Sequence, residues 1–518
     1  MDGYIHIQEP DIKYFTNYCL LGGARIRRMD LNLHDQNWPG SCNPSIFRDK
    51  SDFKIVIRNV NYAMHGSQHP SRCYSSWGPV LYSIPQEDGR NLKTRNFICS
   101  VKDPMRDQLE FKMINTKPYT PKWEFQGEED ARIIRWNNLL YTTGVRRDDN
   151  EDGHGRMELM QISESSYRET SKLRIKGPNN DQTYCEKNWM PIIDKPYHYV
   201  QLTNPTIIIK TDPQTGDITE VVHKERIGDL PDKQYDLFRG SSQVIPWRDY
   251  HIAIVHTCEL WLTASNRKYA RYCHCFIVWD KDWNIVKTSP LFSFANYNVE
   301  FSCGLAYHDN KFYIPFALQD NFSFLMEVPE DVIWNFIDGK EIKLADNICR
   351  YTEEDRQFEY IFTPIPDQNT LFDIGKQYFD EGNFAAAYCL FTRSADLFEY
   401  TYNERLYAAR SIADLGHRDR HEIAMWIHCI RHDPSRPEAY MAAAMYYYYR
   451  ELYSEAMYFA EQSLRCLDSY KYGELQLYSR DDIEFLYHKC EFETSRYPGA
   501  IPFFDNLNIE HEQNRRVL

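Results

Sequence analysis

The stretch Gly127-Glu128-Glu129-Asp130-Ala131-Arg132-Ile133, followed by the alternating run Asn138-Leu139-Leu140-Tyr141-Thr142-Thr143, sets the reading of this chain. A period of two marks a strand with one face on a core. The carboxylates and arginine just ahead of it then fall on a strand rim, where charge can face a cavity instead of bulk water. On spacing alone the same residues also read as a solvated acidic turn. The surroundings decide between the two.

Four more runs carry the same period: Asp52–Arg58, Tyr197–Leu202, Asp249–His256 and Asn310–Phe316, each after a turn-forming cluster. Further strand candidates lie between them, such as Thr206–Thr211, which runs into the turn Asp212-Pro213-Gln214-Thr215-Gly216-Asp217. The signals recur at broadly similar intervals, roughly 55 to 85 residues, which suits one four-stranded blade plus loops. Five signals imply an all-β five-bladed propeller. A pair of β-sandwiches is the alternative, and it leaves the recurrence unexplained.

From about Asn369 the period becomes helical. Leu371, Ile374, Gly375, Tyr378, Gly382, Ala387 and Phe391 fall at tetratricopeptide-repeat offsets, where small residues let paired helices approach. Tyr440, Ala443, Ala444, Tyr447, Ala456, Ala460 and Ser463 repeat them, and a weaker copy between includes Ala408-Ala409, Leu415-Gly416 and Ala424. Ser479-Arg480-Asp481-Asp482 opens a final helix through Cys490, with serine as cap and acids in the first turn. The expected organisation is therefore a propeller over 1–366 and an all-α repeat domain over 367–518. The run Tyr446-Tyr447-Tyr448-Tyr449 covers more than one helix face, so part of it packs against a neighbouring repeat, the propeller or a partner.

Composition narrows the function. A chain of 518 residues exceeds one compact core, and 42% apolar residues are ample for two. No run of about 18 apolar residues exists to span a membrane. Met1-Asp2-Gly3-Tyr4-Ile5-His6 lacks a basic segment leading into an apolar stretch, so a cytoplasmic location is expected. A net charge of −15 disfavours nucleic-acid partners, whose phosphates demand clustered cations. The 14 cysteines include no C-x-x-C pair, and Cys273-His274-Cys275 lies within an alternating run. Reduced thiols are expected, with no metal and no cofactor. Asp280-Lys281-Asp282 has the spacing of a divalent-metal motif but reads as a charged hairpin turn between Phe276–Trp279 and Trp283–Val286. Asp148-Asp149-Asn150-Glu151-Asp152 reads as a solvated loop.

Several ordered segments resemble the five-bladed β-mannoside phosphorylases of glycoside hydrolase family 130 and their β-1,2-mannosyltransferase relatives. They are Asn43-Pro44-Ser45 with Arg58, then Gly127–Arg132, Glu186-Lys187-Asn188-Trp189 and Arg239-Gly240-Ser241-Ser242. Val255-His256, Asn298–Gly304 and Gln319-Asp320 follow in family order. The resemblance covers about residues 40 to 330 and spares the repeats.

What it implies is an inverting reaction in which one aspartate moves the proton, and here that aspartate is Asp130. Glu129 would flank it and raise its proton affinity by like-charge repulsion, with Arg132 opposing. Asn43 and Asp320 match positions that hold sugar hydroxyls. Arg58, Lys187 and His256 match positions near the anomeric phosphate or leaving group, where cations stabilise developing charge. Arg239 joins this substrate-binding set.

The family's phosphorylases carry His-Arg-Pro after the third-blade strand. Here the place reads Leu202-Thr203-Asn204-Pro205. Loss of both basic residues weakens a free-phosphate site, and neutral Thr203 and Asn204 leave room for a larger donor. The expected activity is thus glycosyl transfer, mannose favoured, from a nucleotide sugar or sugar phosphate to a glycan acceptor. A β-mannoside phosphorylase is the alternative, and a non-enzymatic glycan-binding scaffold a further one. The helical repeats would dock a protein partner or extend the acceptor groove.

Overall fold

The computed structural model describes residues 13–31, 37–64, 71–74, 80–177, 185–224, 238–262, 268–295, 299–341, 345, 368–382, 384–397, 401–414, 420–467 and 479–496. Asn298, Leu415-Gly416, the start of the chain and the expected boundary at 366/367 lie outside them. The chain forms two compact units, one of strands and one of helices.

The first unit is a five-bladed β-propeller, its blades being five sheets of four to seven strands. The second strand of each blade is one of the five alternating runs: Asp52–Val60, Leu139–Arg146, His198–Leu202, Tyr250–Leu262 and Lys311–Leu318. Each pairs antiparallel with a strand before it in sequence, nearer the centre: Gly40–Asp49, Glu129–Trp136, Met190–Pro191, Arg239–Gly240 with Ile245–Trp247, and Glu300–Phe301 with Ala306–His308. A small hairpin, Ser71–Tyr74 with Leu81–Ile84, is inserted in the first blade. The fifth blade borrows its outer strand from the other end of the unit, since Arg25–Met29 pairs with Ser323–Glu327.

Twisted sheets with apolar faces must cover one another, and the core accordingly sits between blades. Val56 and Ile98 of the first blade meet Ala131, Ile133 and Met160 of the second. Ile134, Trp136 and Leu159 then meet Trp189, Tyr199 and Ile209 of the third. Met190, Ile192 and Val200 meet Val255, Cys273 and Ile277 of the fourth, and Ala306, Tyr313 and Leu325 of the fifth close on Ile46 and Phe53 of the first. Cys273 and Cys275 are therefore core thiols. Asp280-Lys281-Asp282 turns the hairpin into Ile285–Thr288, with Asp280 Oδ1 accepting the Asp282 and Asn284 amides at 2.9 Å.

At the centre the blades are tied by one amide. Gln243, fully buried, donates from Nε2 to Ser45 Oγ at 2.9 Å, Ile46 O at 3.2 Å and Ile133 O at 2.8 Å. Its Oε1 accepts from the Leu305 amide at 3.1 Å. Four blades thus meet on a single side chain.

The second unit has seven helices among its described residues, each packed on the next. Alternate helices begin at Gln368, Tyr402 and Pro437, a period of about 34. Gly375 lies where a Cβ would stand 2.8 Å from Phe391 Cε1, so only glycine allows that approach. Ser479 and Asp482 form a reciprocal capping box, Asp482 N–Ser479 Oγ 3.2 Å and Ser479 N–Asp482 Oδ2 2.9 Å, and the helix runs on to Arg496. Within the tyrosine run, Tyr446 takes Arg450 over its ring, Tyr447 stacks on Phe459 and Tyr448 meets Tyr453, all inside this unit; Tyr449 is exposed.

Candidate active site

Antiparallel pairing places the start of each innermost strand beside the end of its second strand, on one rim of the propeller. Cys42 opposes Arg58, Glu129 opposes Val145, Arg239 opposes His256 and Glu300 opposes Leu318. Every sequence-predicted site residue falls on this rim. Asn43, Asp130, Lys187 and Arg239 lie at or before innermost strands, Arg58 and His256 near the ends of second strands, and Asp320 in the turn after one.

Two of these residues sit on matching irregularities. Between Cys42 and Ser45, and again between Glu129 and Arg132, the innermost strand carries an extra residue. Asn43 and Asp130 have φ of 47° and 54°, while Asn188 and Val299 at the equivalent entries have 68° and 54°. Non-glycine residues held there cost roughly 1–3 kcal/mol each, a cost that clusters at binding sites. Opposite the second bulge lies Gly144, where a Cβ would come within 2.4 Å of Glu129 O. The bulge turns the Asp130 carboxyl out of the ladder towards its neighbours.

Those neighbours are donors. Asp130 Oδ1 accepts from Asn43 Nδ2 at 2.7 Å and Arg58 Nη1 at 3.1 Å. Arg58 Nη2 also bonds Tyr62 OH at 3.1 Å, Thr94 Oγ1 lies 3.3 Å away, and Glu129 Oε2 is 3.8 Å off. Glu129 has Arg147 Nε on its other side at 3.7 Å. Burial pulls the Asp130 proton affinity up, but Arg58, Lys187 and Arg132, with the Asn43 amide, outweigh it and hold the carboxyl well below its ordinary range. The upward push expected from Glu129 is overturned: Glu129 spends its charge on two arginines. Asn43 Oδ1 is buried without a partner, an open acceptor beside an ionised carboxylate.

His256 forms the far side. Its Nδ1 lies 2.8 Å from Ser241 Oγ, and Tyr272 and Phe301 pack against the ring. Burial first, then His274, Arg239, Lys187 and Arg132, push its pKa well below the usual histidine value, so the ring is neutral. Lys187 and Asp320 are half-buried and Arg239 is exposed at the mouth.

Arg132 is not open to a ligand. It is fully buried and donates to Ser241 O at 2.8 Å, Asp130 O at 2.7 Å and Asn188 Oδ1 at 3.3 Å, which clamps three blades behind the rim. Thr203 and Asn204 are also buried, and Thr203 O accepts from Thr206 Oγ1 at 2.6 Å. They form a closed turn and not the open room expected of them. The acidic stretch is corrected as well. Asp148 is fully buried, accepting from Arg146 Nε at 2.7 Å, Tyr119 OH at 2.7 Å and the Gly127 amide at 3.1 Å. Nor are Glu128, Glu129 and Asp130 a solvated turn, since all three are buried.

Ser241, Asn188 and Tyr62 join the site unannounced. The one signal for Asn188 is its residue type, since asparagine tolerates positive φ. Among the described residues no cluster of three or more His, Cys, Asp or Glu could hold a metal, and no helix is long and apolar enough to cross a membrane.

No protein-family model and no curated protein sequence matches the chain. Solved structures share its path over the propeller. A β-1,2-mannobiose phosphorylase from Listeria innocua, in complex with β-1,2-mannobiose, is 13% identical, covers 61% of this chain and 100% of its own, and superposes with a TM-score of 0.40. A mannose phosphorylase from Leishmania mexicana, in complex with phosphate ion, is 10% identical over 62% of this chain and 93% of its own, TM-score 0.34. A GDP-Man-dependent mannosyltransferase from Leishmania mexicana is 11% identical over 61% and 92%, TM-score 0.32.

Proposed function

We propose that the propeller is an inverting glycosyltransferase. It moves a sugar, mannose favoured by the sequence resemblance, from a nucleotide-activated donor to a hydroxyl of a glycan or glycoconjugate. Asp130 takes the acceptor proton. The observation that carries this is the charge state of Asp130, which three cations keep ionised in the free protein. A transferase needs its proton-transfer group to start as a base, whereas a phosphorylase acting on a β-mannoside needs it to start as an acid. Hydrolysis is disfavoured because Glu129, the nearest second carboxylate, lies between Arg58 and Arg147 and is not free to activate water.

Donor binding then does chemical work on Asp130. A nucleotide sugar brings a diphosphate that competes for Arg58 and Lys187. Once those charges are shared, less positive field remains on the carboxyl and its proton affinity climbs towards the working pH. Asn43 Oδ1 and Asp320 would receive sugar hydroxyls, Arg239 would meet the donor at the mouth, and neutral His256 would contact the leaving group. The helical repeats, read as tetratricopeptide-like, would bind a protein partner or lengthen the acceptor groove. Twelve free cysteines fit a reducing cytoplasm.

Incubation with GDP-mannose and other nucleotide sugars, plus β-mannoside acceptors, should release nucleotide. No release with any donor defeats the proposal. Sugar-1-phosphate formed from β-mannobiose and inorganic phosphate, without nucleotide turnover, would install the phosphorylase reading instead. Calorimetry in buffers of different ionisation enthalpy should show fractional proton uptake on donor binding, and proton release would contradict the charge-sharing step.

A further inference from the structure

Behind the Asp130 bend the second blade holds an unusual interior. Glu128 points away from Asp130 into the sheet, where Thr142 Oγ1 donates to its Oε2 at 2.9 Å. Its other oxygen, Oε1, is buried without a partner, and so is Glu158 Oε2. Arg146 bonds Glu158 Oε1 from Nη1 at 3.2 Å and Asp148 from Nε at 2.7 Å, with Tyr119 under its guanidinium at 3.9 Å. Three buried carboxyls therefore face one buried guanidinium. Lys172 and the half-buried Asp149, itself paired with Arg174 at 3.4 Å, stand at the edge, and Tyr199 of the third blade faces Glu128 from the other side.

Full ionisation would leave buried negative charge uncompensated, which the interior does not tolerate. Asp148 has three good donors and carries its charge. The two glutamates, each with an unpartnered oxygen, hold protons.

This interior is fastened to the catalytic bend at several points. Asp148 receives the Gly127 amide, Asn96 Nδ2 donates to Glu128 O at 3.0 Å, and Thr142 fixes the Glu128 side chain. We infer that Glu128 is a positioning residue for Asp130, one that anchors the Gly127–Asp130 bend to the blade interior as an uncharged carboxyl and lets go when it ionises. The role rests on Asp130 being the proton-transfer group.

Burial, then the nearby Glu158, pushes the Glu128 pKa up to about 8 against the opposing pull of Thr142, Arg146 and Lys172. Glu158 is pushed to about 7, by burial above all. An acid that binds its proton more tightly folded than unfolded stabilises the fold in full below the ordinary value of 4.5. That contribution drains away as pH rises to about 8. The anchor is thus firm in mild acid and slack in alkali.

Hydrogen–deuterium exchange of the peptide carrying Gly127–Arg132, corrected for intrinsic rate, tests this without any turnover. On raising the pH from about 6 to about 9, the wild-type segment should open roughly tenfold more readily. Glu128→Gln keeps the acceptor for Thr142 and cannot ionise, so its opening should be nearly independent of pH. Should that variant fail to fold, Glu158→Gln should halve the pH response on a logarithmic scale. Equal pH response in wild type and Glu128→Gln, or a variant segment that is open at both pH values, overturns the inference. Since exchange is read in the free protein, a failed nucleotide-sugar screen would leave this result standing and sink only the catalytic reading.

Discussion

Asp130→Asn should lower glycosyl transfer by roughly 10²–10⁴-fold, the typical share of a single acid/base group, while the protein stays folded. Asparagine is the informative replacement. Its Oδ1 can still accept from Asn43 and Arg58, which lie 2.7 Å and 3.1 Å from the native oxygen, so the bulge keeps its contacts. Alanine would leave the buried Arg58 charge short of its partner, a change worth about 3–5 kcal/mol in comparable buried pairs. It would confuse instability with lost chemistry. Rates measured against unfolding curves for the same preparations separate the two. A variant that retains more than about a tenth of wild-type turnover would remove Asp130 from the mechanism. A scaffold that merely recognises glycans would show no turnover in either protein and unchanged glycan binding.

Gln243→Leu should destabilise the propeller by about 3–5 kcal/mol, among the largest effects available to one uncharged side chain. The volume is nearly conserved, so cavity formation contributes little. The loss is polar. Ile133 O, Ile46 O, Ser45 Oγ and the Leu305 amide all forfeit a partner where water has no access. Two of these groups belong to strands that carry the Asn43 and Asp130 bulges, so donor affinity should fall along with stability. Denaturant unfolding followed by intrinsic fluorescence gives the number. A shift below about 1 kcal/mol would mean that apolar contact between blades, and not this amide, holds the axis.

Much of the fold is legible in the sequence because the second strand of each blade is long and regular. Asp52–Val60 and Tyr250–Leu262 announce themselves by alternation. The innermost strands do not, since Met190–Pro191, Arg239–Gly240 and Glu300–Phe301 span two residues each and the longer ones are broken by bulges. The helical offsets are readable for the opposite reason: small residues such as Gly375 are required wherever two helices touch.

Within the site, residue type and order locate the rim, but charge state and orientation depend on distant partners. Arg132 spends a donor on a carbonyl 109 positions away. Asp148 looks solvated in a run of acids, yet Arg146, two residues earlier, is the clue that both enter the blade on one face. Glu128 gives no local sign of its role, because the groups that surround it come from three other strands.

The clasp between Arg25–Met29 and Ser323–Glu327 joins partners as much as 302 positions apart, and this bears on biosynthesis. A chain emerging from the ribosome can zip up hairpins within each sheet as they appear, yet the circle cannot shut until the last antiparallel pair has cleared the exit tunnel. Loop closure over such a span adds only logarithmically to the entropic penalty, so the finished molecule suffers little. The delay falls on the nascent stage instead, when two unmatched edges face the crowded cell together. Newborn molecules caught in that interval are the ones most in need of a chaperone.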